Sequence, residues 1–326
     1  MKKALLLSTN ENAIRGDFWT NLHRLDRSIS SASSTWSRAA SAEEADIVLF
    51  TDTTDPLLRD VRGHRAYRQH RDKVLVNCDH DVVFPLVPGL YTSLRIGHRD
   101  PRWSEGGFYV KVVDHDWIAA KSLNGNEPFL FSFVGSFDTH ALRRRLLGIG
   151  RSDALIRDTS ADAGRRYGES TAVYDNWKQE YANTLTDSIF VLCPRGFAPS
   201  SYRIFEAMKA GRVPVIISDD WVAPVGPDWE QFSLRVKERD IEQVADVCVA
   251  NLARAEDMGR LAEQAFADFF SVNACGTTVL DRCLAIKQAI SADYRGTQLC
   301  AAARALTDWP MVRSTLGPVA KRLILR

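Results

Sequence analysis

Two arginines and a glutamate in the segment Leu192–Asp220 have the side chains needed to bind a phosphate-bearing ligand. A planar guanidinium can donate paired hydrogen bonds to phosphate oxygens, so Arg195 and Arg203 could neutralise a diphosphate. Glu206 lies three residues after Arg203, on the same helix face, and its carboxylate could accept hydrogen bonds from ribose hydroxyls. Taken alone, Arg203 and Glu206 could equally form a solvated ion pair on a helix surface.

The same segment predicts the elements that would position these side chains. An apolar strand ends at Pro194, a loop rich in Gly, Pro and Ser follows, and a helix begins near Ser201 and ends before Gly211. In an open parallel sheet, ligands lie beyond the carboxyl ends of the strands, where helix N-termini offer free N–H groups to anions. The residues predicted to bind there are Arg195, Gly196, Ser200, Ser201, Arg203 and Glu206.

The motifs of this region resemble the exostosin family of glycosyltransferases. The chain has Cys-Pro-Arg-Gly at 193–196, Ser-x-Arg-x-x-Glu-Ala at 201–207, Ala-Gly-x-x-Pro-Val-Ile at 210–216 and Asp-Asp-Trp at 219–221. Phe-Ser-Phe-Val-Gly-Ser at 131–136 adds upstream support, and the similarity covers roughly residues 129 to 245. On this resemblance Gly135 joins the predicted donor-binding residues. Asp219 could approach the sugar hydroxyls or cap the next turn.

The resemblance implies a fold and a reaction. The fold is α/β and GT-B-like, with two facing Rossmann-like domains, mainly parallel sheets and the donor in the C-terminal domain. The reaction is an inverting transfer from a UDP- or GDP-linked sugar to a hydroxyl of a glycan or glycolipid acceptor. A GDP-sugar enzyme similar to the fucosyltransferases, and a noncatalytic binding protein of the same fold, remain alternatives.

Length and strand pattern also predict two α/β domains, because 326 residues exceed what one hydrophobic core usually organises. A polar, turn-rich stretch at Lys121–Pro128 separates two series of short apolar runs. We therefore predict an N-terminal acceptor-side domain at 1–124 and a donor-binding domain at 125–326, which ends in helices after Asp240. The predicted strands are Ala4–Ser8, Ile47–Thr51, Val74–Asn77, Phe129–Val134, Ser188–Cys193, Val213–Ser218 and Phe232–Val236.

An inverting transfer needs a base to deprotonate the acceptor hydroxyl, and loops after the N-terminal strands offer candidates. Asp79, His80 and Asp81 follow the run Val74–Asn77, and Asp17 lies beyond the first strand. We predict Asp81 as the base and rank Asp79, His80 and Asp17 behind it. Carboxylates in such loops also cap helices or remain solvated.

Asp79–Asp81 forms an Asp-x-Asp motif, which in other transferases binds a divalent cation. The motif recurs at Asp114–Asp116, so it is weak evidence for a metal site here. We expect no required metal and a nucleotide sugar as co-substrate. A dinucleotide-binding dehydrogenase is excluded, because no Gly-x-Gly-x-x-Gly follows the first strand.

Composition limits the partners. Forty-two basic residues balance 41 acidic ones, so no net field favours nucleic acid. The chain has no run of about 18 apolar residues that could span a bilayer, and its six cysteines show no Cys-x-x-Cys spacing. We expect a cytoplasmic protein, with at most a peripheral membrane contact through the basic tail at 319–326 if that tail does not pack as a terminal helix.

Overall fold

The computed structural model describes residues 1–10, 20–31, 34–111, 115–162, 171–290 and 293–308. The chain forms two compact units. The first consists of Met1–Lys111, Asp220–Val225 and Val272–Arg326, and the second of Val112–Asp219 and Gly226–Ser271. These units differ from the consecutive ranges 1–124 and 125–326 predicted from the sequence, because residues 112–124 lie with the second unit and the C-terminal segment lies with the first.

The first unit is built on a six-stranded sheet in which all paired strands are parallel, in the order β2-β1-β3-β4-β5-β6. Its strands are β1 (Lys2–Ser8), β2 (Trp36–Arg38), β3 (Ile47–Thr51), β4 (Val74–Cys78), β5 (Gly89–Tyr91) and β6 (Ser104–Gly106). Its helices are α1 (Asn21–Ile29), α2 (Arg59–Gly63), α3 (Arg65–Gln69), α10 (Cys275–Ile290) and α11 (Tyr294–Thr307). Every residue of β3 and β4 is buried, as expected of strands that are covered on both faces.

Helix α10 explains why the C-terminal segment belongs to the first unit. It packs against α1 and against β3, β4 and β5, and its side chains Val279, Leu280 and Cys283 are fully buried. The backbone of α10 approaches α1 closely at Gly276, whose N–H donates a 2.8 Å hydrogen bond to Ser28 Oγ. A Cβ at Gly276 would lie only 2.8 Å from the Ser28 side chain.

The second unit contains a five-stranded parallel sheet in the order β11-β10-β9-β7-β8. Its strands are β7 (Phe129–Gly135), β8 (Ala154–Asp158), β9 (Ser188–Pro194), β10 (Val213–Ile217) and β11 (Leu234–Arg235). Its helices are α4 (Ala141–Arg145), α5 (Thr171–Thr186), α6 (Tyr202–Lys209), α7 (Trp229–Phe232), α8 (Val244–Ala250) and α9 (Ala255–Phe269). The predicted α/β class with mainly parallel sheets is confirmed.

The strand predicted at Phe232–Val236 is mostly not a strand. Phe232 ends α7, and only Leu234 and Arg235 pair with the sheet, as its edge strand. Separately, none of the helices in the described part of the chain is long and apolar enough to cross a membrane.

Candidate functional site

The N-terminus of α6 lies where the sequence predicted it, beyond the carboxyl end of β9. Ser201 precedes the helix in an extended conformation, and its side chain makes no capping hydrogen bond. The hydroxyls of Ser200 and Ser218 are buried without a hydrogen-bond partner among the described residues. Because buried polar groups are normally paired, these hydroxyls are available to a ligand.

Arg203 is held against the end of β7 rather than exposed on the helix surface. Its Nη2 donates a 2.6 Å hydrogen bond to the Val134 carbonyl, and its guanidinium lies 4.6 Å from the centre of the Phe133 ring. Gly135 is required for this approach, because a Cβ there would lie 2.7 Å from Nη2. The Nε of Arg203 is buried and has no hydrogen-bond partner among the described residues.

Glu206, one turn further along α6, is also buried. The Tyr181 hydroxyl donates a 2.6 Å hydrogen bond to its Oε2, and His115 Nε2 lies 3.4 Å from its Oε1. Burial raises the pKa of Tyr181 well above its usual range and the Glu206 carboxylate raises it further, so this phenol stays protonated as a donor. Arg203 and Glu206 are therefore not a solvated pair on a helix surface.

Arg195 lies on the loop between β9 and α6 and is largely buried. Its Nη1 is 3.6 Å from Glu238 Oε1. Arg143 stabilises the loop through two hydrogen bonds. Its Nε donates to the Arg195 carbonyl (2.9 Å), and its Nη2 donates to the Pro194 carbonyl (3.2 Å). The side chain of Arg143 also closely approaches Gly196, where a Cβ would lie 3.1 Å from Nη2. The shape of this loop thus depends on a buried arginine from α4.

Asp219 is exposed at the end of β10 and is tied to Glu238. Its backbone N–H donates to Glu238 Oε1 (3.0 Å), and its own Oδ1 accepts from the Glu238 N–H (3.2 Å). Because Glu238 also faces Arg195, the loops after β9 and β10 share one carboxylate.

Two titratable groups near these loops reflect their surroundings. Burial lowers the pKa of His140, and the positive charge of Arg195 lowers it further. Burial raises the pKa of Cys193 to about 12. The thiol is therefore protonated at neutral pH and cannot serve as a nucleophile.

In the first unit, an open cleft of about 380 Å³ lies at the carboxyl ends of β1, β3 and β4. Asp79, His80 and Asp81 line it, together with Asp52 and Lys111. Its polar residues come from the loops after the adjacent strands β1, β3 and β4, as expected of a binding site in a parallel α/β sheet, and Lys111 comes from the segment after β6.

The two carboxylates predicted as bases differ in their surroundings. Asp79 accepts a 3.1 Å hydrogen bond from the Asn21 amide and pairs with Lys111 Nζ at 3.2 Å. Asp81 is exposed to the cleft, and no Lys or Arg among the described residues forms an ion pair with it. Reduced hydration raises the pKa of Asp81, and the Asp79 charge raises it further against the opposing effect of His80. Asp81 therefore has the properties expected of a proton acceptor, whereas Asp17 lies outside the described residues.

Asp52 was missed by the sequence reasoning. Its carboxylate accepts from the backbone N–H groups of Asn21 (3.0 Å) and Leu22 (2.9 Å), and so holds the start of α1. Burial raises its pKa. Asp52 directly follows β3, so the rule that selected Asp79 and Asp81 after β4 could have found it.

His115, Tyr181 and Arg143 were also not predicted as site residues. Each reaches the donor-side loops from a distant part of the sequence, and only the folded chain brings them to Glu206 and Arg195. Among the residues that the structure describes, no three His, Cys, Asp or Glu side chains are grouped so as to hold a metal ion. Asp114 lies outside those residues.

Comparison with known proteins relates the chain to glycosyltransferases. The Exostosin GT47 domain matches residues 109–250. Exostosin-1 of Drosophila melanogaster is 28% identical over 179 residues, which are 51% of this chain and 22% of that protein. The Exostosin-1 homolog of Caenorhabditis elegans is 37% identical over 83 residues, covering 25% of this chain and 21% of its own length.

A plant protein gives a similar match. The probable beta-1,4-xylosyltransferase IRX10 of Arabidopsis thaliana is 35% identical over 107 residues, 28% of this chain and 26% of that protein. These matches thus span about a quarter of the relatives' length or less. Among solved structures, a glycosyltransferase from Rickettsia africae ESF-5 aligns with a TM-score of 0.44 at 9% identity, covering 90% of this chain and 99% of that one.

Proposed function

We propose that this chain, a member of the exostosin family of glycosyltransferases, transfers a sugar from a nucleoside diphosphate sugar to a hydroxyl of a glycan or glycolipid acceptor. One observation carries the donor assignment. The uncapped start of α6 lies with two unpartnered buried serine hydroxyls and with Arg203, whose Nε has no hydrogen-bond partner among the described residues. The positive end of a helix dipole, serine hydroxyls and a fixed guanidinium suit a diphosphate.

In the proposed reaction the acceptor oxygen attacks the anomeric carbon while the bond from that carbon to the diphosphate breaks, so the configuration inverts. The diphosphate leaves with the bonding electron pair, and Arg195, Arg203 and the α6 dipole stabilise its charge. Asp81 accepts the proton of the acceptor hydroxyl. Its raised pKa favours that role over Asp79, which forms an ion pair with Lys111.

Glu206 is proposed to accept hydrogen bonds from the ribose. Tyr181 and His115 fix its carboxylate, and each carboxylate oxygen has lone pairs for a further donor. Because this role fixes the sugar of the nucleotide and not its base, UDP and GDP donors remain equally open.

Free cysteines support a place in the cytoplasm. No disulfide joins any of the six, all of which lie in the described part of the chain, and five of them are buried. Since disulfides form mainly in oxidising compartments, we propose that the protein works in a reducing one.

The proposal is tested by incubating the full chain with each of a panel of UDP- and GDP-sugars and a mixture of glycan acceptors. The release of nucleoside diphosphate is measured. We expect acceptor-dependent release with one donor. Arg195→Ala should weaken nucleotide binding, whereas Arg144→Ala, which removes an exposed arginine paired with Asp138, should not. If no donor is turned over and Arg195→Ala leaves nucleotide affinity unchanged, the proposal fails. Nucleotide binding without turnover would indicate a noncatalytic member of the fold.

A further inference from the structure

A second pocket of the first unit is basic. It lies at the amino end of β4, whereas the cleft lined by Asp52, Asp79 and Asp81, here called the acidic cleft, lies at the carboxyl end of that strand. Its volume is about 550 Å³, and its lining includes Arg62, Arg68 and Arg71 against a single carboxylate, Asp72. The turn that carries Arg71 directly precedes β4, whereas the acidic cleft begins directly after that strand. The five residues of β4 separate the two sites, which is about 16 Å at 3.3 Å per residue.

The arginines of this pocket are available to a ligand. All three are exposed, and none forms an ion pair with a carboxylate in the described part of the chain. The guanidinium of Arg71 lies over the Tyr294 ring at 4.9 Å, which fixes its position without neutralising its charge. The neighbouring Arg59, by contrast, is paired with Asp55 at 2.6 Å. A pocket with several unpaired guanidinium groups favours a phosphate-bearing anion.

A smaller pocket adjoins the basic one, and four of its seven lining residues are apolar. It measures about 230 Å³ and shares Asp72 and Tyr294 with its neighbour. Lys287 lies at this pocket and adds a further positive charge. The apolar lining consists of Val74, Leu75, Pro88 and Ile290. A hydrocarbon chain would fill such a space, whereas a nucleic acid or a polysaccharide would leave it empty.

We propose that the paired pockets bind an anionic phospholipid, with the phosphate headgroup among the three arginines and the start of its hydrocarbon chain against β4 and α10. The first unit thereby docks on a membrane that contains anionic lipid. This inference is independent of the proposed transfer reaction, because the lipid lies at the other end of β4 from Asp81.

The test is co-sedimentation of the full chain with vesicles of phosphatidylcholine alone or with phosphatidylglycerol added. Binding should require phosphatidylglycerol. Each basic residue near such a surface contributes about 1 kcal/mol, about fivefold in affinity, so Arg68→Gln with Arg71→Gln should weaken binding on the order of 25-fold. The matched control, Arg151→Gln with Arg239→Gln, removes the same charge from arginines of the second unit that are paired with aspartates, and should bind normally.

Soluble competitors identify the occupant. A short-chain phosphatidylglycerol should displace the protein from vesicles at a lower concentration than glycerol phosphate or inorganic phosphate, because only the lipid fills the apolar pocket. Equal potency of all three would overturn the lipid assignment in favour of a simple phosphate site. Equal binding to both kinds of vesicle, an equal loss in the control variant, or tighter binding of single-stranded DNA would overturn the proposal altogether.

The melting temperature of the Arg68→Gln, Arg71→Gln variant tests whether these arginines have a purely structural role. We expect it to equal that of the unchanged protein. The same double variant should keep its activity on a soluble acceptor. Failure of lipid binding would therefore leave the transferase proposal intact, and failure of transfer would leave the lipid site intact.

Discussion

Asp79 and Asp81 are two carboxylates in one cleft that the fold has made chemically different. Asp79 forms an ion pair with Lys111, while reduced hydration and the Asp79 charge raise the pKa of Asp81. From the sequence alone, Asp81 could be ranked first as the base only as a choice among adjacent candidates in the same loop. The ion pair with Lys111 connects residues 32 positions apart, so no local pattern announces it.

The pH dependence of transfer tests this difference. A base must be deprotonated to act, so kcat/KM should rise with pH through the pKa of Asp81, above the usual aspartate range. Asp81→Asn should remove this acid limb and lower kcat by about 10²- to 10⁴-fold. Asp79→Asn should keep the limb but move it to lower pH, because a charge that raises the Asp81 pKa is lost. A limb unaffected by Asp81→Asn would show that another group is the base.

Arg203 gives a second prediction about a single residue. Arg203→Lys keeps the charge but loses the planar fork that reaches the Val134 carbonyl. We expect donor turnover to fall by about two orders of magnitude, and the melting temperature to fall modestly because a buried hydrogen bond is lost. The control Arg239→Gln removes an exposed arginine paired with Asp240 and should be neutral. Calorimetric titration with nucleoside diphosphate separates lost affinity from lost chemistry, and unchanged affinity and rate would remove Arg203 from the donor site.

At the scale of elements, the sequence predicted best the strands with continuous apolar runs. Ile47–Thr51 was predicted with the observed bounds, and β9 and β10 differ from their predictions by one residue. Strands of three residues, such as β2, β5 and β6, were not predicted, because so short a run carries too little periodicity. The start of α6 was predicted because loop composition and helix signals agree there.

The close approach of α6 to the end of β7 depends on a glycine. Gly135→Ala would place a Cβ 2.7 Å from Arg203 Nη2. The flexible end of the arginine must then move, and its hydrogen bond to Val134 is lost. We expect weaker donor binding with the fold retained, as measured by nucleotide titration and circular dichroism. Gly148→Ala is the matched control, since nothing lies within 4 Å of a Cβ at that position.

For the whole molecule, the sequence predicted two α/β domains but assigned the C-terminal helices α10 and α11 to the second, whereas they lie with the first. Strands can be predicted from local sequence patterns, whereas the sequence of an amphipathic helix does not indicate which sheet the helix packs against. The buried side chains of α10 could in principle cover either sheet, and the match of α10 to α1 through Gly276 becomes visible only after folding.

A pair of core substitutions tests the assignment of α10. Leu280 is fully buried in α10 and Met258 is nearly so in α9, so Leu280→Ala and Met258→Ala should each cost about 2–5 kcal/mol of unfolding free energy. Hydrogen exchange read peptide by peptide locates the loss, since core amides exchange through unfolding of their own cooperative unit. Leu280→Ala should accelerate exchange in β3 and β4 while β9 and β10 stay protected, and Met258→Ala should do the reverse. Faster exchange in β9 and β10 after Leu280→Ala would instead assign α10 to the second unit, as the range 125–326 implies.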